Sequence, residues 1–255
     1  MNAIILVPSG GGYFEGHFPG WPILPGVVEL VLVLEALARA TGQAVSLQGI
    51  AFVRLRQLVL PGDRLELSAR ELDGGRTRID LKRDGAVVAN GELILGNPSR
   101  ASEAPRNSPA LSMTGLPGID ALLPHRPPMR LATSIVDDGE TGLTCAGRIP
   151  AQCALVSHGS APALAALELA AQAAATWEAL RRWREGGVAA PRVGYLVALR
   201  DVTFFAARVP AEQTLIAAVR LEAAAPPLTH YKIEVALSDA LVLRGTIATF
   251  LTAAP

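Results

Sequence analysis

The stretch HFPGWPILPGV, residues 17–27, places one imidazole just ahead of a long apolar helix. Its prolines and glycines predict a tight, irregular backbone, and the run 27–40 predicts a helix that ends at Thr41-Gly42. The start of such a helix offers unpaired backbone N–H groups to a substrate carbonyl. The stretch therefore indicates a site that abstracts a proton, with His17 as the base.

The charge balance of the chain excludes several classes of partner. Among the 255 residues, Lys and Arg number 23, and Asp and Glu also number 23. This balance gives no overall attraction to nucleic acid or to an anionic membrane, so partners must be recognised by local patches. Hydrophobic residues make up 50% of the chain, enough for a sizeable core. Cys145 and Cys153 are too few for a disulfide framework and lack metal-ligand spacing, so we interpret both as core residues.

The sequence also predicts where the protein resides. Residues 1–8 contain no basic residue, and their apolar run is too short for a signal peptide. Glu29, Glu35 and Arg39 interrupt the best candidate for a membrane span, which needs about 20 apolar residues. We therefore expect a soluble cytoplasmic protein with no membrane partner.

A segment rich in Ser, Pro, Ala and Asn, residues 97–115, interrupts the periodic pattern and predicts an exposed linker. It separates a first domain, 1–96, from a second domain, 116–255. In each domain a helical run is followed by alternating runs that are typical of antiparallel strands. The predicted strands of the first domain are 48–59, 63–71, 76–83 and 86–95. The second domain has a predicted helix at 163–184 and predicted strands at 143–149, 195–205, 213–222, 229–237 and 241–251.

The two domains form an internal repeat. Aligning Pro25-Gly26-Val27 with Pro162-Ala163-Leu164 gives an offset of 137, which continues through both helices without a gap. Each helix is apolar on nearly all faces, as expected when a sheet wraps around it. The predicted fold is therefore α+β, a double hotdog in which each half wraps an antiparallel sheet around a long central helix.

The motifs resemble those of a known enzyme family. The first half resembles the β-hydroxyacyl-acyl-carrier-protein dehydratases, whose motif His-Phe-Pro-Gly, then Pro, then Pro-Gly-Val corresponds to residues 17–27. In that family an acidic residue follows the histidine by fourteen positions, where this chain has Val31. The second half resembles the same family at residues 122–129 and 168–172 and keeps the acid as Glu168, but Ala154 stands where His17 would align. The two losses complement each other.

Family dehydratases form each site across two hotdogs, so the resemblance implies one mixed site with His17 as base and Glu168 as acid. The order of histidine and then Glu-x-x-x-Gln is similar to the double-hotdog dehydratase domains of polyketide synthases, which have Asp in place of Glu. More closely still, the halves resemble a fusion of the two unequal dehydratase partners of aryl-polyene biosynthesis. The implied reaction removes water from a 3-hydroxyacyl thioester, which needs a base for the α-hydrogen and an acid for the hydroxyl.

The residue types suit these roles. An unperturbed His17 has a pKa near 6.5 and is largely neutral at physiological pH. Ala and Leu neighbours are expected to raise the pKa of Glu168 and keep a proton on it. The backbone N–H of Gly26 or Val27 is expected to stabilise the enolate oxygen. Gln172, one turn after Glu168, is expected to orient that acid or the leaving oxygen.

Other residues compete for a place in this site. Glu35 is the rival acid, because it lies one turn beyond Val31 on the same helical face. Glu29 is expected to face away and to interact with the helix dipole. His158 lies four residues from Ala154 and offers an alternative second base after a local shift of its loop.

Three further residues have weaker predicted roles. Tyr195 either lines the mouth of a substrate tunnel or packs within its strand. His125 is interpreted as a structural anchor, and His230 as a strand residue without a partner. Neither histidine is assigned to the site.

The predicted function is dehydration of 3-hydroxyacyl groups on acyl carrier protein, in fatty-acid, polyketide or aryl-polyene-type biosynthesis. The acyl chain is expected to run between the two helices, and the phosphopantetheine arm belongs to the substrate. No metal or organic cofactor is expected. The alternatives are a hotdog thioesterase that uses Glu35 or Glu168 and a non-catalytic subunit that binds carrier protein. The fused halves form a pseudo-dimer, and a homodimer of whole chains stays open.

Overall fold

The computed structural model describes residues 1–97, 115–187 and 192–251. Apart from its two end residues, the predicted linker 97–115 lies outside the described residues. The first half contains one long helix and five strands. These are β1 Asn2–Leu6, α1 Gly26–Thr41, β2 Leu47–Leu55, β3 Arg64–Leu72, β4 Arg76–Arg83 and β5 Ala86–Leu95.

Alternation along the strands of the first half separates a core face from a solvent face. In β3 the side chains of Leu65, Leu67 and Ala69 are buried, while those of Arg64 and Glu66 are exposed. Successive side chains of a strand point to opposite faces of the sheet. The apolar face of the sheet therefore covers α1.

The second half repeats this plan with a longer helix. Its elements are α2 Ile119–Leu122, β6 Ala132–Gly139, β7 Gly142–Gly147, β8 Ser160–Pro162, α3 Ala166–Gly186, β9 Gly194–Phe204, β10 Arg208–Pro210, β11 Leu215–Ala225, β12 Leu228–Leu237 and β13 Ala240–Leu251. A 3-10 turn, Ala163–Ala165, leads directly into α3.

The long strands of both halves join one antiparallel sheet of eleven strands, as far as the chain is described. The order is β1-β3-β4-β5-β2-β9-β13-β12-β11-β7-β6. The halves meet at its centre, where β2 pairs with β9 and Ile50 lies opposite Val202. β8, which precedes α3 in the chain, and β10, which follows β9, form a separate two-stranded antiparallel ribbon. This is the double-hotdog architecture that the repeat predicts.

Both helical segments begin after a proline in the same backbone conformation. Pro25 has φ −59° and ψ 137°, and Pro162 has φ −53° and ψ 140°. The alignment of the halves at these two prolines therefore agrees with the structure. α1 ends at Gly42, as predicted, with a φ of 66° that glycine adopts without strain. No helix in the described ranges is both long and apolar enough to cross a membrane.

Two strands of the sheet, β1 and β6, are absent from the strands predicted from the sequence. In β1, which lies at the sheet edge, Ile5 is buried but Ile4 is 46% exposed and Leu6 is 71% exposed. Because both faces of β1 are apolar, its sequence lacks the alternation that marks a half-buried strand. The edge position, which only the assembled sheet defines, accounts for the exposed side chains.

Candidate active site

A cavity of about 330 Å³ lies between the two halves and is lined by both of them. The first half contributes His17, Gly26 and Glu29, and the second half contributes His125 and Glu168. One ring nitrogen of each histidine and one carboxylate oxygen of Glu168 lie within 4.8 Å of one another. The structure thus brings the predicted base and the predicted acid together, as the complementary losses in the two halves imply.

His17 is 8% exposed and is held on two sides. Its Nδ1 lies 2.9 Å from the carbonyl oxygen of Ile23, in the turn that precedes α1. Its ring stacks on that of Phe18 with 4.1 Å between the centroids. Since a carbonyl oxygen only accepts hydrogen bonds, Nδ1 of the neutral ring carries the hydrogen. Nε2 then keeps the lone pair that a general base needs.

Glu168 is 4% exposed in the first turn of α3, where Gln172 orients it. The side-chain nitrogen of Gln172 donates to Oε1 of Glu168 at 2.9 Å and to the carbonyl oxygen of Met129 at 2.7 Å. Its side-chain oxygen accepts from the backbone N–H groups of Leu131 and Ala132 at 2.8 and 3.1 Å. Gln172 is fully buried and these bonds occupy its amide, so it positions the carboxylate and has no free group for the leaving oxygen.

His125 supplies a second imidazole at the site, contrary to the prediction that it lies outside the site. Its Nε2 lies 3.4 Å from Oε1 of Glu168, and its ring centroid lies 5.2 Å from that of His17. The backbone N–H of Arg126 donates to the carbonyl oxygen of Gly16 at 3.0 Å, which ties its loop to the first half. A Cβ on Gly16 would lie 1.9 Å from the carbonyl oxygen of Arg126, so only glycine permits this approach. Interpreting His125 solely as a structural anchor is therefore wrong.

The environment sets the charge of each group at neutral pH. Burial lowers the pKa of His17 to about 4, although the negative charge of Glu168 opposes the shift. Burial acts to raise the pKa of Glu168, but hydrogen bonding from His125 and the charge of His17 outweigh it and hold this pKa at about 2. At neutral pH His17 is therefore an uncharged base and Glu168 is a carboxylate. The predicted rise in the Glu168 pKa is wrong, because that prediction considered the apolar neighbours and not the imidazoles.

Acidification is expected to destabilise the protein through His17 between pH 6.5 and 4. In the unfolded chain the imidazole binds a proton below its ordinary pKa of 6.5, but in the folded chain it does so only below about 4. The stabilisation is complete above pH 6.5 and is lost as the pH falls, by about 3 kcal/mol at pH 4. Urea unfolding of the wild type and His17→Gln across this window measures the effect.

The two proteins share every other titrating group, so the difference between their stability curves isolates His17. Curves that stay parallel from pH 7 to pH 4 would contradict the lowered pKa. Glu168 does not interfere, because its own stabilisation is present above pH 4.5 and is lost only as the pH falls toward 2.

The N-terminus of α1 supplies a backbone donor to the cavity. Within the described part of the chain, no protein group accepts a hydrogen bond from the N–H of Gly26 or Val27. Gly26 lines the cavity, whereas Val27 is completely buried. Gly26 is therefore the better placed of the two predicted donors for an oxyanion. A Cβ on Gly26 would lie 2.4 Å from Cδ1 of Leu55, so a larger residue would displace that side chain.

The other predicted residues lie in different surroundings. Tyr195 lines the cavity, and its ring meets that of the half-exposed Trp21 edge-on at 6.4 Å. The side chain of Glu35 is 48% exposed, lies 3.7 Å from Arg39 and does not line the cavity. His158 is exposed, and neither it nor His230 lines the cavity.

Glu29 lines the cavity, and the prediction that it faces away is wrong. It is 4% exposed, and its Oε2 has no hydrogen-bond partner in the ranges described. Burial raises its pKa well above the ordinary value. Residues three apart on a helix share a face, and the spacing of Glu29 from Gly26 was therefore a usable signal.

Two imidazoles and a carboxylate are also donor types that zinc binds. His17, His125 and Glu168 each offer one ligand atom within 4.8 Å of the others. Ligand atoms at about 2.0–2.2 Å from a tetrahedral zinc lie roughly 3.4 Å apart. Nε2 of His125 and Oε1 of Glu168 have this separation. The expectation of a site without metal stays a prediction.

The two halves of the chain match two different families of known proteins. Residues 117–254 match the ApeP dehydratases, and residues 1–92 match the ApeI dehydratases. The chain belongs to the ApeP-like dehydratases, with an ApeI-like half in front. The resemblance to a fusion of two unequal dehydratase partners is thereby confirmed.

Individual proteins agree with this assignment. Over 106 residues the dehydratase is 35% identical to the 3-hydroxyacyl-[acyl-carrier-protein] dehydratase FabZ of Ruminiclostridium cellulolyticum, covering 36% of this chain and 72% of that protein. The dehydratase domain of RzxB from Pseudomonas fluorescens superposes with a TM-score of 0.69 and 15% identity, over 96% of this chain and 93% of that one. A putative thioesterase from Novosphingobium aromaticivorans superposes with a TM-score of 0.55 and 18% identity, over 99% and 96% of the two chains. These two structural similarities show the fold alone.

Proposed function

We propose that this dehydratase removes water from 3-hydroxyacyl groups carried as thioesters on acyl carrier protein. The observation that carries the proposal is the shared cavity, in which a ring nitrogen of His17 lies within 4.8 Å of a carboxylate oxygen of Glu168. The relative that is named for this reaction supports the substrate class. The pathway we propose is of the fatty-acid, polyketide or aryl-polyene type.

The reaction starts at His17, whose Nε2 takes the proton from the α-carbon of the bound thioester. The electron pair of that C–H bond moves toward the thioester oxygen, so an enolate forms. The N–H of Gly26 donates to this oxygen as its charge grows. In related chemistry one such donor lowers the activation barrier by about 2.7–4 kcal/mol.

Glu168 must gain a proton before it protonates the leaving hydroxyl, because its pKa of about 2 leaves it ionised at neutral pH. The proton that His17 has just removed supplies this need. The ring nitrogen of His17 and the carboxylate oxygen of Glu168 lie within 4.8 Å of each other. One hydroxyl oxygen with hydrogen bonds of about 2.7–2.8 Å therefore bridges the two groups. His17 gives this proton to the bridging hydroxyl oxygen while that hydroxyl passes its own proton to Glu168. Glu168 then returns a proton to the oxygen as the C–O bond breaks and the electron pair of the enolate forms the α,β double bond. Water leaves, and both side chains return to their starting charge.

Incubation of the purified protein with a 3-hydroxyacyl carrier protein tests the proposed activity. The expected product is the enoyl thioester, detected as the loss of one water from the carrier-bound acyl group. Release of the free acid would instead support a hotdog thioesterase. Binding of the carrier protein without turnover would support the non-catalytic alternative. Either result overturns the proposal.

We propose that catalysis needs no metal or organic cofactor, because His17 and Glu168 take up and return the proton themselves. Dialysis against a chelator is expected to leave the rate of enoyl formation unchanged. A loss of activity that added zinc restores would contradict this expectation and would assign the metal to His17, His125 and Glu168. A cytoplasmic location and a homodimer of whole chains stay predictions.

A further inference from the structure

β1, residues Asn2–Leu6, forms one edge of the eleven-stranded sheet within the described part of the chain. The side chains on its outer face are apolar and unburied. Ile4 is 46% exposed and Leu6 is 71% exposed, whereas Ile5 between them is buried. An edge strand with exposed apolar side chains is a template for pairing with another strand. This edge is therefore a candidate interaction surface.

The backbone bonds between β1 and β3 involve the odd-numbered residues of β1. The N–H of Val7 donates to the carbonyl oxygen of Asp63 at 2.9 Å. At the other end, the N–H of Ala69 donates to the carbonyl oxygen of Met1 at 2.9 Å. In an antiparallel pair, residues bonded to the neighbouring strand alternate with residues whose N–H and C=O groups point the other way. The groups that point to the free edge therefore belong to the even-numbered residues, which are Asn2, Ile4 and Leu6.

The opposite edge of the described sheet, β6, is protected against pairing. Its register with β7 shifts twice, and it contains Asp137 and Asp138. Bulges and charged side chains are features with which proteins block strand pairing at a sheet edge. β1 has neither feature, because its register with β3 has no shift and none of its five residues is charged. The protein thus blocks one edge of the sheet and leaves the other open.

A second copy of the same strand fits the open edge. With a two-fold axis at Ile4, Asn2 of one chain lies opposite Leu6 of the other, and every residue of β1 is paired. The exposed side chains of Ile4 and Leu6 from both chains then gather on one face of the joined sheet. Pro8 has no N–H to donate, and in this register it lies beyond the paired residues.

The charges beside β1 favour an uncharged partner. Arg64 lies opposite Leu6 and Glu66 lies opposite Ile4 in the sheet. These two side chains form an ion pair with each other at 2.9 Å, so their charges cancel. A charged partner gains no complementary charge from this pair, whereas an apolar, uncharged strand loses nothing there. β1 of a second copy is such a strand.

We propose that β1 is a homodimer interface, in which two copies of this chain pair their β1 strands antiparallel about a two-fold axis at Ile4. The two eleven-stranded sheets then continue into one another. The cavity lies between the halves of a single chain, so each copy keeps its own site. The inference is therefore independent of the proposed dehydratase function.

Sedimentation equilibrium of the full chain tests the interface. The wild type is expected to dimerise, and Ile4→Lys is expected to raise the Kd of the dimer by about 100-fold, because two like charges then meet at the axis. Leu228→Lys is the matched control. Leu228 is also partly exposed, at 38%, but it lies on β12, which has a neighbouring strand on each side. The control is expected to keep the wild-type Kd.

Urea unfolding verifies that both variants are folded before their masses are compared. A wild type that stays monomeric at every soluble concentration would overturn the inference. A dimer that Ile4→Lys leaves intact would also overturn it, because the contact would then lie on another surface.

Disulfide trapping tests the register. Both native cysteines are buried, so an engineered cysteine on β1 is the accessible one. In Ile4→Cys the two substituted positions lie about 5.5 Å apart between Cα atoms, which a disulfide spans. In Leu6→Cys they lie roughly 14 Å apart, which it does not. Mild oxidation is expected to cross-link Ile4→Cys, and to cross-link Leu6→Cys only after mixing with Asn2→Cys. Cross-links in Leu6→Cys alone, or in none of these samples, would overturn the proposed pairing.

Discussion

Replacing His17 with alanine is expected to lower kcat for dehydration by about 10²- to 10⁴-fold, the contribution typical of a general base. The imidazole is neutral at physiological pH and its Nδ1 is bonded to the carbonyl oxygen of Ile23, so Nε2 is the group that takes the α-proton. Ala154 occupies the corresponding position of the second half, so the repeat supplies no substitute at that position. Enoyl formation from a 3-hydroxyacyl thioester measures the loss.

His158→Asn is the matched control for this substitution. His158 is exposed and has a φ of 51°, a region that asparagine tolerates, and it does not line the cavity. The control is expected to keep the wild-type rate. If His158→Asn lost activity while His17→Ala kept it, the base would come from the second half and the assignment would fail.

Replacing Glu168 with glutamine is expected to lower kcat by a similar factor, about 10²- to 10⁴-fold. The amide keeps the volume of the side chain and a partner for Gln172, but it cannot relay a proton to the departing hydroxyl. A second readout separates this role from a structural one. The charge of Glu168 raises the pKa of His17, so its removal is expected to shift the imidazole titration to lower pH. NMR titration of His17 in the folded variant measures that shift.

Glu35→Gln controls for the loss of a carboxylate from a helix of the fold. Glu35 is half exposed beside Arg39, outside the cavity, so its loss is expected to leave kcat unchanged. If Glu35→Gln alone abolished turnover, the pairing of His17 with an acid from the other half would be wrong. A thioesterase that uses Glu35 would then become the better interpretation.

Several features of this protein were predictable because they depend on residues close together in the chain. The end of α1 at Gly42 follows from glycine chemistry, and β4 and β5 have the bounds that alternation predicts. The offset between Pro25 and Pro162 aligned two helix starts that have the same backbone conformation. The pairing of His17 with Glu168 came from a family motif combined with that offset, so it needed the repeat and no coordinates.

The edges of the sheet were harder to predict. β1 has apolar residues on both faces, so periodicity does not distinguish it from a buried run. Periodicity is also insufficient for predicting the cavity. The helical period tells which residues share a face of a helix, but not which residues lie opposite that face. The spacing of Glu29 from Gly26 was a usable signal, whereas the position of His125 beside Glu168 needed the assembled halves.

Short-range sequence patterns determine the order of elements, the repeat and the candidate catalytic pair. These three features are therefore predictable from the sequence alone. The place of His125 beside Glu168 and the low pKa of that carboxylate arise only when distant segments pack together. The physical reason is that a pKa and a hydrogen-bond partner depend on the charges, dipoles and solvent within a few ångströms. In this protein those neighbours come from loops and strands far away in sequence.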